Sequence, residues 1–141
     1  MKIKNDRQMA NAETEILRIS EELEKFRSAG PDQPAEIVQA VIGALELDAK
    51  RLSESISEYA YVKERPVDEE FLDALSDDPG GDLVKARIAL RMTQRELAER
   101  VGVKESQINR YEATDYDTAK LPRIVAIAKA LRERAEANCH V

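Results

Sequence analysis

The residues between Gln94 and Glu112 follow a spacing that few folds can accommodate. Ala98 lies four residues after Gln94, and Gly102 lies eight residues after it. A small residue at Ala98 allows a second helix to cross closely, and Gly102 can adopt the positive φ that a tight turn requires. The surrounding apolar residues are Leu97, Val101, Val103 and Ile108. We therefore expect two short helices joined by a turn of three or four residues, with these side chains filling the wedge between them.

Capping residues mark where helices begin around this motif. Asp82 precedes residues 83–91 and is placed to cap a helix there. Thr93 and Glu96 form the pattern of a capping box, in which the Thr hydroxyl accepts a hydrogen bond from the Glu amide. A third helix is predicted from about Lys104 to Glu112, with Ile108 and Tyr111 on its inner side.

Two long amphipathic helices are predicted before this motif. Over 6–28, the apolar residues recur at spacings of three and four, and Gly30-Pro31 ends the pattern. A second helix from 32–34 to about 61 repeats it. The two stripes contain Ile16, Ile19, Leu23 and Phe26, and then Ile37, Val41, Leu45, Ala49, Leu52, Ile56 and Tyr59. Two such helices predict an antiparallel hairpin, whose stripes pack on each other or in part on a second chain.

Residues 62–81 have the composition of an acidic linker, with Pro66 and the turn cluster 77–81. The apolar residues between them either dock on the C-terminal domain or recognise a partner; they are Val67, Phe71, Leu72 and Leu75. The expected fold is all-α. It consists of a hairpin in 1–61 that serves dimerisation or partner binding, the linker, and a helix-turn-helix domain in 82–141.

Charge separates the two halves of the chain. Residues 1–81 carry 10 Lys and Arg and 19 Asp and Glu, a balance of −9, whereas residues 82–141 carry 12 and 9, a balance of +3. The net charge of −6 argues against a protein that binds phosphate through bulk positive charge. The basic half is suited to nucleic acid and the acidic half to assembly or a protein partner, unless each helix merely has a solvated charged face.

Other classes of function have little support in the sequence. There is no Gly-rich phosphate loop, no H-E-x-x-H motif and no set of nucleophile and base, so we expect no enzyme. Cys139 and His140 are adjacent near the chain end and do not constitute a metal site. A single Cys indicates a reducing compartment, and no apolar run approaches the ~18 residues of a membrane span. We expect a cytoplasmic protein without cofactor, metal or membrane contact.

The motif residues resemble a known family. They are Arg87-Ile88-Ala89, Met92 to Ala98, Val101-Gly102-Val103, Ile108 to Glu112, and Leu121 to Leu131. Over about 82–132 this pattern resembles the XRE, or Cro/lambda-repressor-type, helix-turn-helix family. A helical extension before such a domain is also similar to HigA-type antitoxins and related phage or plasmid regulators. The resemblance implies a five-helix-type domain that binds double-stranded DNA. Its fourth helix would span 121–131, and residues 133–141 either complete a short fifth helix or form a disordered tail. Because one recognition helix reads only a few base pairs, we expect a homodimer that binds an inverted repeat and represses its own operon. In the antitoxin case a toxin protein is a further partner.

The resemblance also implies roles for single residues. Base contacts are implied for Gln94, Glu105, Ser106 and Arg110. Arg110 can bind guanine and Glu105 can accept from cytosine, although Glu105 would also stabilise a helix N-terminus without touching DNA. Phosphate contacts are implied for Thr93, Arg95, Lys104, Asn109, Tyr116 and Lys120, each of which is otherwise a solvated surface residue. Arg87 and Glu112 match the positions of a buried structural pair.

Two features depart from the family. Lys104 stands where a small hydroxyl residue usually begins the third helix, and the loop 113–119 is longer and acidic, with Asp115 and Asp117 that would repel phosphates. Two other functions therefore stay open. The chain could be a protein-interaction module that neutralises a toxin through residues 1–81, or the helix-turn-helix could serve only as a scaffold for protein contact.

Overall fold

All the regular structure in the described residues is α-helical. The computed structural model describes residues 2–28, 34–66, 70, 73 and 82–139. The helices with defined bounds in these ranges are α1 (Asp6–Arg27), α2 (Ala35–Glu64), α3 (Leu83–Ala89), α4 (Gln94–Val101), α5 (Glu105–Ala113) and α6 (Leu121–Cys139). The predicted all-α fold is confirmed. The chain divides into two compact units, Met1–Tyr59 and Ala60–Val141.

The first unit contains α1 and most of α2. Asn5 caps α1, because its side chain accepts a hydrogen bond of 2.8 Å from the amide of Gln8. The Tyr59 hydroxyl, near the end of α2, donates to the Asp6 carboxylate at the start of α1 over 2.7 Å. The start of one helix therefore lies beside the end of the other, as in the predicted antiparallel hairpin.

Helix α2 is longer than the sequence pattern predicted. It continues to Glu64, three residues beyond the expected end at about 61 and inside the predicted linker. Val62 is only 5% exposed, and the next helix-breaking residue is Pro66. The predicted docking residues Val67, Phe71, Leu72 and Leu75 lie outside the described residues.

The second unit has its core where four helices meet. Helix α4 packs against α5 and α6, and α3 packs against α6. The largest fully buried apolar side chains of this unit include Leu83, Leu97, Ile108, Ile127 and Leu131. Burial of each such side chain contributes about 1.5–3 kcal/mol. Apolar packing therefore holds α5 in position, although its N-cap residue, Lys104, forms no side-chain capping hydrogen bond.

Helix α6 replaces the short fifth helix or tail that was expected for the chain end. It extends without interruption to Cys139. No Gly or Pro occurs between Leu131 and Cys139, and Ala135 is fully buried. Apolar packing therefore favours continuation of the helix rather than a break.

Candidate nucleic-acid interface

The turn between α4 and α5 has the predicted geometry. The Thr93 hydroxyl accepts a hydrogen bond of 3.0 Å from the amide of Glu96 and so caps α4. Gly102 has a φ of 76°, and the amide of Val103 donates to the Ala98 carbonyl over 3.0 Å. Ala98 is 2% exposed, which fits the close crossing of α5 over α4. The positive φ expected at Gly102 and the close helix crossing expected at Ala98 are thus both observed.

A buried ion pair lies beneath α5. The Arg87 guanidinium donates from Nε to Glu112 Oε2 over 2.6 Å and from Nη2 to Glu112 Oε1 over 2.7 Å. Its Nη1 donates to the Met92 carbonyl over 2.8 Å. The two side chains are 3% and 0% exposed. A buried pair with this bidentate geometry ties α3 to α5 and fixes the rotation of α5 about its axis.

Gln94 extends this network to α4. Its Nε2 donates to Glu112 Oε1 over 3.1 Å, and its Oε1 accepts from Asn109 Nδ2 over 3.4 Å. The residue is only 6% exposed. The sequence predicted Gln94 as a base contact, whereas in this structure both ends of its amide are engaged with other protein side chains.

The outward face of α5 carries the other predicted base contacts. Glu105, Ser106 and Arg110 are all exposed. Within the described part of the chain, none of these three side chains has a hydrogen bond or an ion pair. Glu105 lies in the first turn of α5, where it also stabilises the helix dipole. The three side chains are therefore available to a ligand that approaches α5 from outside.

Gln107 also lies exposed on α5 and was missed by sequence reasoning. Its Nε2 donates to the Tyr111 hydroxyl over 2.8 Å. The signal in the sequence was its position one residue after Ser106, within the same first turns of the helix. Gln107 thus adds one amide to the polar face of α5.

Most of the predicted phosphate contacts are exposed. They are Thr93, Arg95, Lys104, Asn109 and Lys120. Arg95 approaches Glu99 at 3.4 Å, but both side chains are more than two-thirds exposed, so the ion pair holds the guanidinium only weakly. Thr93, Arg95, Lys104 and Lys120 can meet a nucleic-acid backbone without rearrangement of the core, whereas Asn109 Nδ2 already donates to the buried Gln94.

Tyr116 does not lie where a phosphate contact would require it. It is 2% exposed, and its hydroxyl is buried without a hydrogen-bond partner in the described residues. Its ring stacks on Tyr111 with 5.9 Å between centroids. Burial raises the pKa of the Tyr116 phenol well above its ordinary value, and the nearby Glu112 carboxylate raises this pKa further. This burial speaks against the predicted phosphate contact of Tyr116, and it accompanies a left-handed backbone at Asp115 and Tyr116.

A cavity of about 470 Å³ lies beside α5. Its lining consists of Tyr111, Thr118, Lys120, Pro122 and Arg123. Two cations and two hydroxyls line it, without a carboxylate among them. Arg123 was not singled out from the sequence, yet it places a second cation next to the predicted contact Lys120.

The described ranges contain neither a metal site nor a membrane-spanning helix. No group of three or more His, Cys, Asp or Glu side chains there is arranged to hold a metal ion. None of the helices described there is long and apolar enough to cross a membrane.

A capped helix, a glycine turn and a second helix with an outward polar face define a helix-turn-helix DNA-binding domain. Residues 83–136 match the model of the Helix-turn-helix family, so this part of the chain is similar to that family. The match agrees with the XRE-type resemblance and supports a DNA-binding transcription regulator. Comparisons with curated proteins and with solved structures gave no match.

Proposed function

We propose that the chain represses transcription by placing α5 in the major groove of an operator, which it binds as a homodimer on an inverted repeat. The observation that carries this proposal is the contrast between the two sides of α5. Its inner side is fixed by the bidentate pair of Arg87 and Glu112, while Glu105, Ser106 and Arg110 are exposed on its outer side and have no side-chain bond to any residue that the structure describes. A rigid helix with free polar side chains suits direct readout of base edges.

Each of the exposed side chains favours a different base. The Arg110 guanidinium can donate two hydrogen bonds to O6 and N7 of guanine. The Glu105 carboxylate can only accept, which favours the amino group of cytosine. Ser106 tolerates several bases, and Gln107 adds an amide that favours adenine once it releases the Tyr111 hydroxyl. Gln94 is a weaker candidate, because a base contact would break its bonds to Glu112 and Asn109.

Backbone contacts would surround this reading face. The Thr93 end of α4 presents free amides to a phosphate. Arg95, Lys104, Asn109 and Lys120 are exposed and can approach neighbouring phosphates. The balance of only +3 over residues 82–141 implies modest non-specific affinity. Two domains on two half-sites would therefore supply much of the specificity.

The test is fluorescence anisotropy with a duplex from the promoter of the chain's own operon and a scrambled duplex of the same composition. We expect tight binding to the promoter duplex only. Arg110→Ala is expected to weaken this binding by about 1–3 kcal/mol and to relax specificity at one position. Arg132→Ala removes the same charge from an exposed residue of α6 and serves as the matched control.

Two results would contradict the proposal. Equal losses for Arg110→Ala and Arg132→Ala would mean that only net charge matters. Equal binding to both duplexes at low and high salt would mean that the chain does not read this promoter, and autoregulation would then be wrong.

A second role as an antitoxin is supported by the charge of the first half of the chain. The balance of −9 over residues 1–81 suits a basic protein partner. We expect the product of a small basic reading frame beside this gene to copurify with the full chain and to lose its toxicity on coexpression. Toxicity that persists on coexpression would refute this role and leave DNA binding as the sole proposal.

A further inference from the structure

The first half of α2 is apolar but poorly covered. Ten of the fifteen residues in 35–49 are Ala, Val, Ile or Leu. None of the residues from 35 to 58 is buried, and the first buried residue of α2 is Tyr59. Exposed apolar surface of this extent on one helix is expected to have a partner.

The apolar residues of this segment lie on two faces of α2. Val38 and Leu45 are half-buried and lie on one face of α2. A second stripe lies on a different face and is exposed throughout; it consists of Ile37, Ala40, Ala44 and Leu47. The sequence pattern placed Ile37 in the stripe of the hairpin, whereas in the structure it is exposed. The second stripe's spacing of three, four and three residues is that of a coiled-coil seam. Ile37 and Leu47 are 54% and 46% exposed.

We propose that this second stripe is the surface through which a second copy of the chain binds. The two α2 helices would run antiparallel about a two-fold axis near residue 42. Ile37 then lies opposite Leu47 of the partner subunit, and Ala40 lies opposite Ala44 of the partner subunit. The stripe has large residues at both ends and small residues at its centre. Two copies of it can therefore pack on each other when related by a two-fold axis, as a symmetric dimer interface requires.

The charges beside the stripe support a second copy over an unrelated partner. Glu36 and Lys50 lie on the same flank of α2, and both are exposed. Neither forms an ion pair or hydrogen bond within the described part of the chain. The antiparallel alignment about residue 42 brings Glu36 of one copy beside Lys50 of the partner subunit, and it does so twice by symmetry. Opposite charges in this position fix partner and orientation.

The same helical face changes character after Leu47. It continues with Arg51, Glu54 and Glu58, all of which are exposed. The apolar contact is therefore confined to the first half of α2. This inference names the surface for the dimer in the proposed function, but it depends on residues outside the DNA-binding domain and is measured without DNA. Its failure is thus distinguishable from a failure of DNA binding.

The test is sedimentation equilibrium of the full chain over a concentration series up to its solubility limit. We expect a monomer–dimer equilibrium that Leu47→Glu weakens at least tenfold. Leu17→Glu changes an apolar residue of α1 that is 66% exposed and lies off the stripe, so it is the matched control and is expected to leave the equilibrium unchanged. Circular dichroism of each variant checks that the helices are retained.

A charge exchange tests the antiparallel alignment itself. Glu36→Lys and Lys50→Glu each place like charges together and are expected to weaken the dimer. The double variant restores opposite charges and is expected to recover wild-type affinity, which a net-charge effect would not do. A double variant weaker than both single variants would refute the alignment.

Three further results would overturn the proposal. One is a wild-type chain that stays monomeric at every concentration. Another is a dimer that Leu47→Glu leaves intact but Val125→Glu dissociates, since Val125 on α6 is also 56% exposed. The third is a monomeric chain whose α2 stripe is covered by a basic protein partner instead.

Discussion

Replacement of Glu112 by Gln tests how far the buried ion pair supports the DNA-binding domain. The substitution keeps the size of the side chain but replaces one carboxylate oxygen by an amide nitrogen. Arg87 directs one donor at each oxygen, over 2.6 and 2.7 Å. The new nitrogen would therefore face a donor, and the Arg87 charge would remain buried without a counter-charge.

The expected loss is large because both groups are removed from water. The side chains are 3% and 0% exposed, and loss of one partner from such a pair costs about 3–5 kcal/mol. The hydrogen bond that Glu112 accepts from Gln94 is lost or weakened as well. For a total stability of about 5–15 kcal/mol, the variant would be close to unfolding at the lower end of that range.

Urea denaturation measures this loss. With an m-value of about 2 kcal/mol per molar urea, a loss of about 3 kcal/mol lowers the midpoint by about 1.5 M. Glu136→Gln is the matched control, because Glu136 pairs with Arg132 at 3.5 Å and both side chains are about half exposed. Its expected effect is below about 0.5 kcal/mol.

A loss below about 1 kcal/mol for Glu112→Gln would refute this reasoning, since it would mean that water or another anion compensates Arg87. The double variant Arg87→Met with Glu112→Leu provides a second check. It removes both charges, so it is expected to be less destabilising than Glu112→Gln alone.

Four backbone and side-chain changes give further expectations, each measured by thermal unfolding at one protein concentration. Tyr116→Phe removes a buried hydroxyl without a partner in the described residues and is expected to stabilise the protein by about 1 kcal/mol, with promoter binding unchanged. Since the pKa of Tyr116 is raised in the folded state, the wild-type protein loses stability as the pH rises above the phenol's ordinary pKa of 10.0, and Tyr116→Phe should reduce that loss. Gly102→Ala is expected to destabilise by about 1 kcal/mol because of its φ of 76°, whereas Gly43→Ala, within α2, should stabilise by about 0.5–1 kcal/mol. Arg91→Gly relieves a φ of 55° and should stabilise by about 0.5–1 kcal/mol; a loss of stability would show that the Arg91 side chain makes a compensating contact.

The sequence predicted those features that depend on neighbouring residues. The cap at Thr93, the turn at Gly102 and the close crossing at Ala98 each follow from the steric or hydrogen-bonding demands of a short segment. The bounds of α1 also follow from a local signal, the stripe that ends before Gly30. Such features are encoded within one or two helical turns.

Features that depend on distant residues were less predictable. Gln94 donates a hydrogen bond to Glu112, which lies eighteen positions away in the chain. Because of this contact, the Gln94 amide is already engaged and is less available to a DNA base. The burial of Tyr116 accompanies two consecutive left-handed residues that are not glycines, which no local pattern signals. In α2, both stripes show the same helical spacing of apolar residues. Periodicity alone could therefore not predict which stripe is covered by other residues of the chain.

The division of α5 into a fixed side and a free side has a consequence for how such a regulator could change its target. Exposed positions like Glu105, Ser106 and Arg110 tolerate substitution at a cost usually within about 0.5 kcal/mol of stability. A new operator preference could therefore arise by single mutations there without prior stabilisation of the domain. Asn109 is the exception among the exposed positions, since its amide contacts Gln94 and links the surface to the buried network. Substitutions that change the DNA sequence preference should therefore accumulate at exposed positions near Asn109, while Asn109 itself should change less often.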